Sequence, residues 1–205
     1  MIEKIIIAGA GGQGVMLLGK VLANAALKDN LNVTWLPSYG AEVRWGAAHC
    51  MVIISSGDIP SPYIDKADTL IIMNEPSLLK FKQRIKNKGL LLINSSLIKT
   101  QILANHPPEA DQPAAETQIV ADKKSACICV QSANICALPF TEAAVKLGNI
   151  KVANMIALGS YIARKKIFSK QTVFKVIEEI VPAEKKSLIE INKQALLTGI
   201  ELIRR

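Results

Sequence analysis

The sequence predicts an α/β fold, a mostly parallel sheet flanked by helices with a helical C-terminal portion. Three observations carry that prediction. Half of the 205 residues are hydrophobic but only 4% are aromatic, so the core is aliphatic and suits strands buried on both faces. Short β-branched runs alternate with longer stretches of helical period. The first of these runs, Ile5-Ile6-Ile7, feeds a glycine-rich turn that opens a helix at Val15. A chain of this length supports one core and shows no internal repeat, so one domain over residues 1–205 is predicted.

Gly9, Gly11 and Gly14 fit the spacing G-x-G-x-x-G, which makes the predicted fold Rossmann-like. One glycine allows the tight turn, one lets backbone approach a phosphate, and one lets helix and strand pack closely. Backbone N–H groups at the start of the helix, Val15 to Lys28, can hold an anion. The same glycines also serve a plain strand-to-helix turn. A dinucleotide site further requires an acidic residue at the end of the second strand. That strand, Asn32–Leu36, runs into Pro37-Ser38 with no Asp or Glu, which argues against NAD.

The segment Pro37-Ser38-Tyr39-Gly40-Ala41-Glu42-Val43-Arg44-Trp45-Gly46 follows at the carboxyl end of that strand. Open α/β sheets bind ligands at this edge. Ser38, Tyr39, Glu42 and Arg44 supply a hydroxyl, a phenol, a carboxylate and a guanidinium, with Gly40 as a hinge. The competing reading is a structural loop whose charges meet solvent.

Ala47–Ser55 reads as the third strand, with His49 in a structural role. Ala67–Met73 is the next strand. Asn74-Glu75-Pro76-Ser77 opens a helix whose apolar face is Leu78, Leu79, Phe81 and Ile85. Leu90–Asn94 is another buried strand. A proline-rich loop lies around 104–116, and His106 within it faces solvent. Thr117–Ala121, Ala126–Val130 and Ile135–Leu138 are strand-like. Thr141 is predicted to cap a helix that ends at Gly148. Lys151–Lys165 is a helix whose small residues permit close packing on the sheet or on another subunit. Ser169 caps Lys170–Val181, which stops at Pro182. Ala183–Ile203 is amphipathic.

The formal net charge is +8, spread over scattered lysines as on a soluble surface. Such a surface suits an acidic partner or a phosphorylated ligand. With few aromatics and no arginine-rich tail, nucleic acid is not an expected partner. No apolar run reaches membrane-spanning length and no signal peptide is evident, so a cytoplasmic protein is predicted. Cys50, Cys127, Cys129 and Cys136 are then reduced thiols. Cys127 and Cys129 alternate with Ile128 and Val130 as a strand would. Their spacing matches neither zinc nor iron–sulfur patterns, and no metal ligands are assigned.

The combination of segments resembles the gamma subunit of 2-oxoacid:ferredoxin oxidoreductases of the pyruvate, 2-oxoglutarate and 2-oxoisovalerate types. The matching stretches are Gly9-Ala10-Gly11-Gly12-Gln13-Gly14-Val15, Ser38-Tyr39-Gly40-Ala41-Glu42-Val43-Arg44, Val52-Ile53-Ile54-Ser55 and Ile59-Pro60-Ser61-Pro62. Later ones are Leu147-Gly148-Asn149, Asn154-Met155-Ile156-Ala157-Leu158-Gly159 and Asn192-Lys193-Gln194-Ala195. The beta subunit of indolepyruvate oxidoreductases is closely similar, so the substrate branch stays open. Two departures stand out. The family usually has two glycines after the arginine, where this chain has Trp45-Gly46, and the region from about His106 to Ser125 has no counterpart in the pattern.

The resemblance implies a subunit that is inactive alone and binds no cofactor by itself. In the assembled enzyme thiamine diphosphate decarboxylates a 2-oxoacid, iron–sulfur clusters pass electrons to ferredoxin, and coenzyme A takes the acyl group. The implied partners are the thiamine-binding and ferredoxin-type subunits, with ferredoxin as acceptor. Homo-oligomerisation of the isolated chain stays open. Gly9, Gly11, Gly12, Gln13, Gly14, Ser38, Tyr39, Gly40, Glu42 and Arg44 are the implied coenzyme A, anion or partner-facing residues, with no catalytic residue in this chain. The alternative is a stand-alone Rossmann-type nucleotide-binding enzyme. It predicts calorimetric binding of NAD, FAD or ATP to the isolated chain.

Overall fold

The computed structural model describes residues 1–38, 47–98, 133–181 and 186–204. Tyr39, Gly40, Glu42, Arg44, the proline-rich loop, Cys127 and Cys129 therefore lie outside the described residues. The strands are β1 (Ile2–Ala10), β2 (Asn32–Ser38), β3 (Ala47–Ser55), β4 (Ala67–Ile72), β5 (Ile85–Asn94) and β6 (Asn134–Leu138). The helices are α1 (Val15–Lys28), α2 (Glu75–Phe81), α3 (Phe140–Lys146), α4 (Ala153–Lys165), α5 (Lys170–Ile180) and α6 (Ser187–Arg204).

The described strands form one sheet in the order β2-β3-β1-β4-β5-β6. The pairs β1–β4, β4–β5 and β5–β6 are parallel, whereas β3 runs antiparallel to both β1 and β2. The link 39–46 between β2 and β3 is too short for a crossover, which takes a dozen or more residues. The chain therefore returns antiparallel and inserts β3 between β2 and β1. Pro37 is tolerated because β2 is an edge strand.

β1 is the central strand. Ile5, Ile6 and Ile7 have no solvent exposure, and each contributes roughly 2–3 kcal/mol of transfer free energy. Ile5 and Ile7 join the core shared with α1, α4 and α5, while Ile6 and Ala8 join the core under α2. Alternate residues of one strand thus fill two layers. Of the expected apolar face of α2, Leu78 and Phe81 are buried, but Leu79 is exposed and Ile85 already opens β5. His49 packs against Phe81 with ring centres 4.8 Å apart and planes tilted by 50°, in keeping with a structural role.

The close packing expected of α4 is met within this chain, by the sheet and by α6. A Cβ on Gly159 would run into the backbone carbonyl of Leu196, and one on Gly199 into that of Ile156. Ser160 Oγ reaches both Ile156 O (3.1 Å) and Gly199 O (3.0 Å). The expected cap at Ser169 is present, its Oγ accepting from Thr172 N at 3.0 Å. The expected cap at Thr141 is not. Helix α3 begins at Phe140 after Pro139, and the Thr141 hydroxyl is engaged by Asn94 instead.

Cys50 is fully buried and its thiol lies 3.6 Å from Val15 O. Burial pushes this thiol up to about 12. Burial also raises the phenol of Tyr161, with Glu3 and Asp68 adding to the effect. Both groups hold their protons more tightly when folded than when unfolded. The contribution of Cys50 is therefore complete below pH 9 and is lost as pH rises from about 9 toward about 12, and that of Tyr161 is likewise lost on the alkaline side. Urea midpoints are expected to fall across that window in the wild type and to fall less steeply in Cys50→Ala. An equal slope in the two proteins contradicts this account of Cys50.

Among the described residues, no helix is long and apolar enough to cross a membrane.

Candidate functional site: a glycine turn at the switch point of the sheet

The chain leaves β1 toward the α1 face of the sheet and leaves β4 toward the α2 face. The carboxyl ends of these neighbouring parallel strands therefore diverge, opening a crevice of the kind where α/β sheets bind ligands. The glycine turn sits at its mouth. A cavity of about 180 Å³ there is lined by residues that include Gly12, Gln13, Met73, Leu97, Thr141 and Lys151.

The glycines divide by role. Gly9 is a packing glycine, since a Cβ would sit 2.6 Å from Gln13 Oε1 and 2.8 Å from the Met73 Cβ. Gly14 has φ 71° and precedes α1, and a Cβ there would strike the Asn154 side chain. Gly12 has φ 88° with open space around it. Gly11 and Gly12 are solvent-exposed. They are thus the two glycines that leave backbone open to a ligand.

Gln13 serves the turn itself. Its Oε1 accepts from Ala10 N at 2.7 Å, its Nε2 donates to Met73 O at 3.4 Å, and its backbone N–H donates to Ala10 O at 3.2 Å. Its side chain staples the turn to the end of β4 and also lines the cavity.

Helix α1 has no side-chain cap on its first turn, so its orphan N–H groups and positive dipole end remain available to an anion. Asn154, 2% exposed, donates Nδ2 to Gly14 O at 3.1 Å and ties the start of α4 to the start of α1. On the other wall, fully buried Asn94 donates to Met73 O (3.3 Å) and to Thr141 Oγ1 (2.8 Å), and accepts from Thr141 N (3.3 Å). It locks together the ends of β4 and β5 and the start of α3.

Lys151 is the charged residue lining the cavity among the described residues. Asn149 accepts from Lys151 N at 3.0 Å and holds it in a short 3-10 turn, Ile150–Val152, ahead of α4. Sequence reasoning missed Asn94, Thr141, Lys151 and Asn154 as parts of this site. Asn94 stands at the carboxyl end of a buried strand, a position that could have flagged it.

Ser38 lies on the same edge of the sheet as the turn but not in the cavity. It pairs with His49, which pairs with Ala8, so it stands two strand spacings, about 10 Å, from β1. The end of β2 is therefore not beside the glycine turn, as it is in a dinucleotide-binding βαβ unit. The missing ribose-binding acid has this topological counterpart. No cluster of three or more His, Cys, Asp or Glu side chains suited to a metal ion occurs among the described residues.

Comparison with known proteins places this geometry in a family. The family model described as pyruvate ferredoxin/flavodoxin oxidoreductase matches residues 4–202. The 2-oxoglutarate synthase subunit KorC of Methanocaldococcus jannaschii is 31% identical over 197 residues, covering 94% of this chain and 92% of that one. The ketoisovalerate oxidoreductase subunit VorA of Methanothermobacter thermautotrophicus is 28% identical over 201 residues, and here this chain spans 36% of the relative's length. Among solved structures, the keto/oxoacid ferredoxin oxidoreductase gamma subunit of Geobacter sulfurreducens superposes with a TM-score of 0.75 at 27% identity. The match covers 100% of this chain and 97% of that one.

Proposed function

The chain belongs to the pyruvate ferredoxin/flavodoxin oxidoreductase family as a gamma-type subunit, and on that footing we propose the work it does. As one domain, it supports the oxidative decarboxylation of a 2-oxoacid to an acyl-CoA, with electrons passed to ferredoxin. It acts in the cytoplasm beside thiamine-binding and ferredoxin-type subunits and is inactive without them. The observation that carries this reading is the family match over residues 4–202.

In the assembly, thiamine diphosphate supplies carbanion chemistry, the iron–sulfur clusters carry electrons, and coenzyme A accepts the acyl group. The glycine turn of this chain suits a phosphate of coenzyme A. Exposed Gly11 and Gly12 leave backbone accessible, the first turn of α1 is uncapped, and Lys151 stands across the crevice.

In this reading Gly9, Gln13 and Gly14 set the shape of the turn, and Gly11, Gly12 and Lys151 receive the anion. Ser38, Tyr39, Gly40, Glu42 and Arg44 form the rim toward the neighbouring subunits. Arg44 contacts a phosphate or carboxylate through its planar fork. A hydrogen bond to a charged group is worth about 1.5–3 kcal/mol. In enzyme co-expressed with its cognate subunits, Arg44→Ala is therefore expected to raise the KM for coenzyme A by roughly 10- to 100-fold while leaving assembly intact. Unchanged assembly together with unchanged coenzyme A dependence counts against the role of Arg44. Turnover of a 2-oxoacid by the purified single chain overturns the subunit reading.

A further inference from the structure

At the end of the sheet opposite the glycine turn, a groove of about 590 Å³ opens between the C-terminal ends of α4 and α6 and the start of α5. Leu197, Ile200 and Ile203 of α6 contribute aliphatic surface to it, and Lys166, Lys170 and Arg204 stand around it. Leu197 is 36% exposed. Glu201 is the carboxylate in the lining, so three cations face one anion.

Some cations elsewhere on the surface are engaged by neighbours. Lys28, Lys86, Lys165 and Lys193 are held by carboxylates, and Lys66 and Arg84 by backbone carbonyls. Lys166, Lys170 and Arg204 have no side-chain ion pair or hydrogen bond among the described residues. Lys166 also stands at φ 54° in the left-handed region, closing α4 through its N–H to Ile162 O at 2.8 Å. Glycine is the residue that adopts this conformation without penalty. A lysine there costs backbone strain, and Lys166 lines the groove beside its aliphatic residues.

We infer that this groove docks an acidic amphipathic segment of a partner subunit, with apolar side chains on α6 and carboxylates against Lys166, Lys170 and Arg204. The charge balance of the rim selects an anion, and the aliphatic floor selects a segment with an apolar face. The inference rests on the subunit reading proposed above and adds a contact surface remote from the coenzyme A crevice.

The test is association of the full chain with its co-expressed thiamine-binding and ferredoxin-type subunits, measured against salt, for wild type and for Lys166→Gly/Lys170→Glu/Arg204→Glu. Glycine at 166 suits the backbone, so the variant is expected to fold, as circular dichroism and melting temperature will report. Association of the wild type is expected to weaken with salt. The variant should bind at least tenfold more weakly, and carbodiimide should cross-link Lys166 or Lys170 to a partner carboxylate only in the wild-type complex.

Wild-type association that is unchanged in a folded variant overturns the groove assignment and leaves the subunit reading standing. Wild type that joins none of these subunits overturns both. Should the variant lose its fold, the cross-link in wild type decides, and its absence from the assembled complex overturns the inference. Self-association of wild type abolished by the same substitutions assigns the groove to a second copy and likewise overturns it.

Discussion

Gly159→Ala is expected to lower the melting temperature by about 6–12 °C, and Gly159→Val to leave no folded protein. The cause is the crossing of α4 and α6. The atoms a new Cβ would meet are the carbonyl oxygen and carbon of Leu196, the carbon at 2.9 Å. They are backbone and cannot rotate aside as a side chain would. The helices must separate, and α4 is buried along most of its length, from Ala153 to Ile162. Separation loosens Ile156, Leu158 and Tyr161 together and strips Ser160 of its contact with Gly199 O.

Overpacking of a tight core costs about 1–3 kcal/mol, and a backbone clash lies at or above the top of that range. In a domain of this size 1 kcal/mol moves the midpoint by about 2–4 °C. Gly199→Ala should behave alike, because its Cβ would lie 2.8 Å from the Ile156 carbonyl carbon and 2.9 Å from Ser160 N. Gly57→Ala is the control, since a Cβ there meets nothing within 4 Å. If all three substitutions shift the melt equally, the crossing is not what makes these glycines necessary.

Gly14→Ala should be the most damaging alanine in the glycine turn, at about 3 kcal/mol. Alanine at φ 71° costs roughly 1–2 kcal/mol in backbone energy alone, and its methyl would also lie 2.8 Å from the Asn154 Cγ. That side chain holds α4 to α1 through Gly14 O, and it is buried where the crevice wall forms. Gly12→Ala keeps the strain without the collision and should cost about 1 kcal/mol.

The two terms separate in a double-mutant cycle. Asn154→Ala removes the object struck, so the double variant should be more stable than the sum of the single losses by about 1–2 kcal/mol. Strict additivity in chemical denaturation would show that Gly14 and Asn154 are not coupled. In the assembled enzyme the displaced turn should also weaken coenzyme A use, and Gly12→Ala should do so with less loss of stability. Gly12 backbone faces the crevice, whereas Gly14 faces the protein.

Most of the secondary structure was legible because its signals are local. The β-branched run Ile5-Ile6-Ile7, the turn glycines, Ser169 as a cap and the period of α4 and α6 each act within a few residues. The failures follow where a distant partner competes. Thr141 has the chemistry of a cap, yet Asn94, 47 residues away, takes its hydroxyl. Leu79 has the right type for the buried face of α2 but points outward. The candidate rim from Tyr39 to Arg44 lies outside the described residues, so its part in the site stands on the sequence.

The alternation of strands and helices, the glycine turn, the absence of an acid after the second strand and the family resemblance were all readable from residue order alone. All of these are patterns of neighbouring residues under short-range sterics and hydrogen bonding. The folded chain adds that β3 inserts between β2 and β1, which glycines pack and which stay exposed, and that Thr141 and Lys151 line a crevice with the turn, braced by buried Asn94. Those outcomes depend on contacts between residues dozens of positions apart, whose pairing is settled by how the two faces of the sheet are filled.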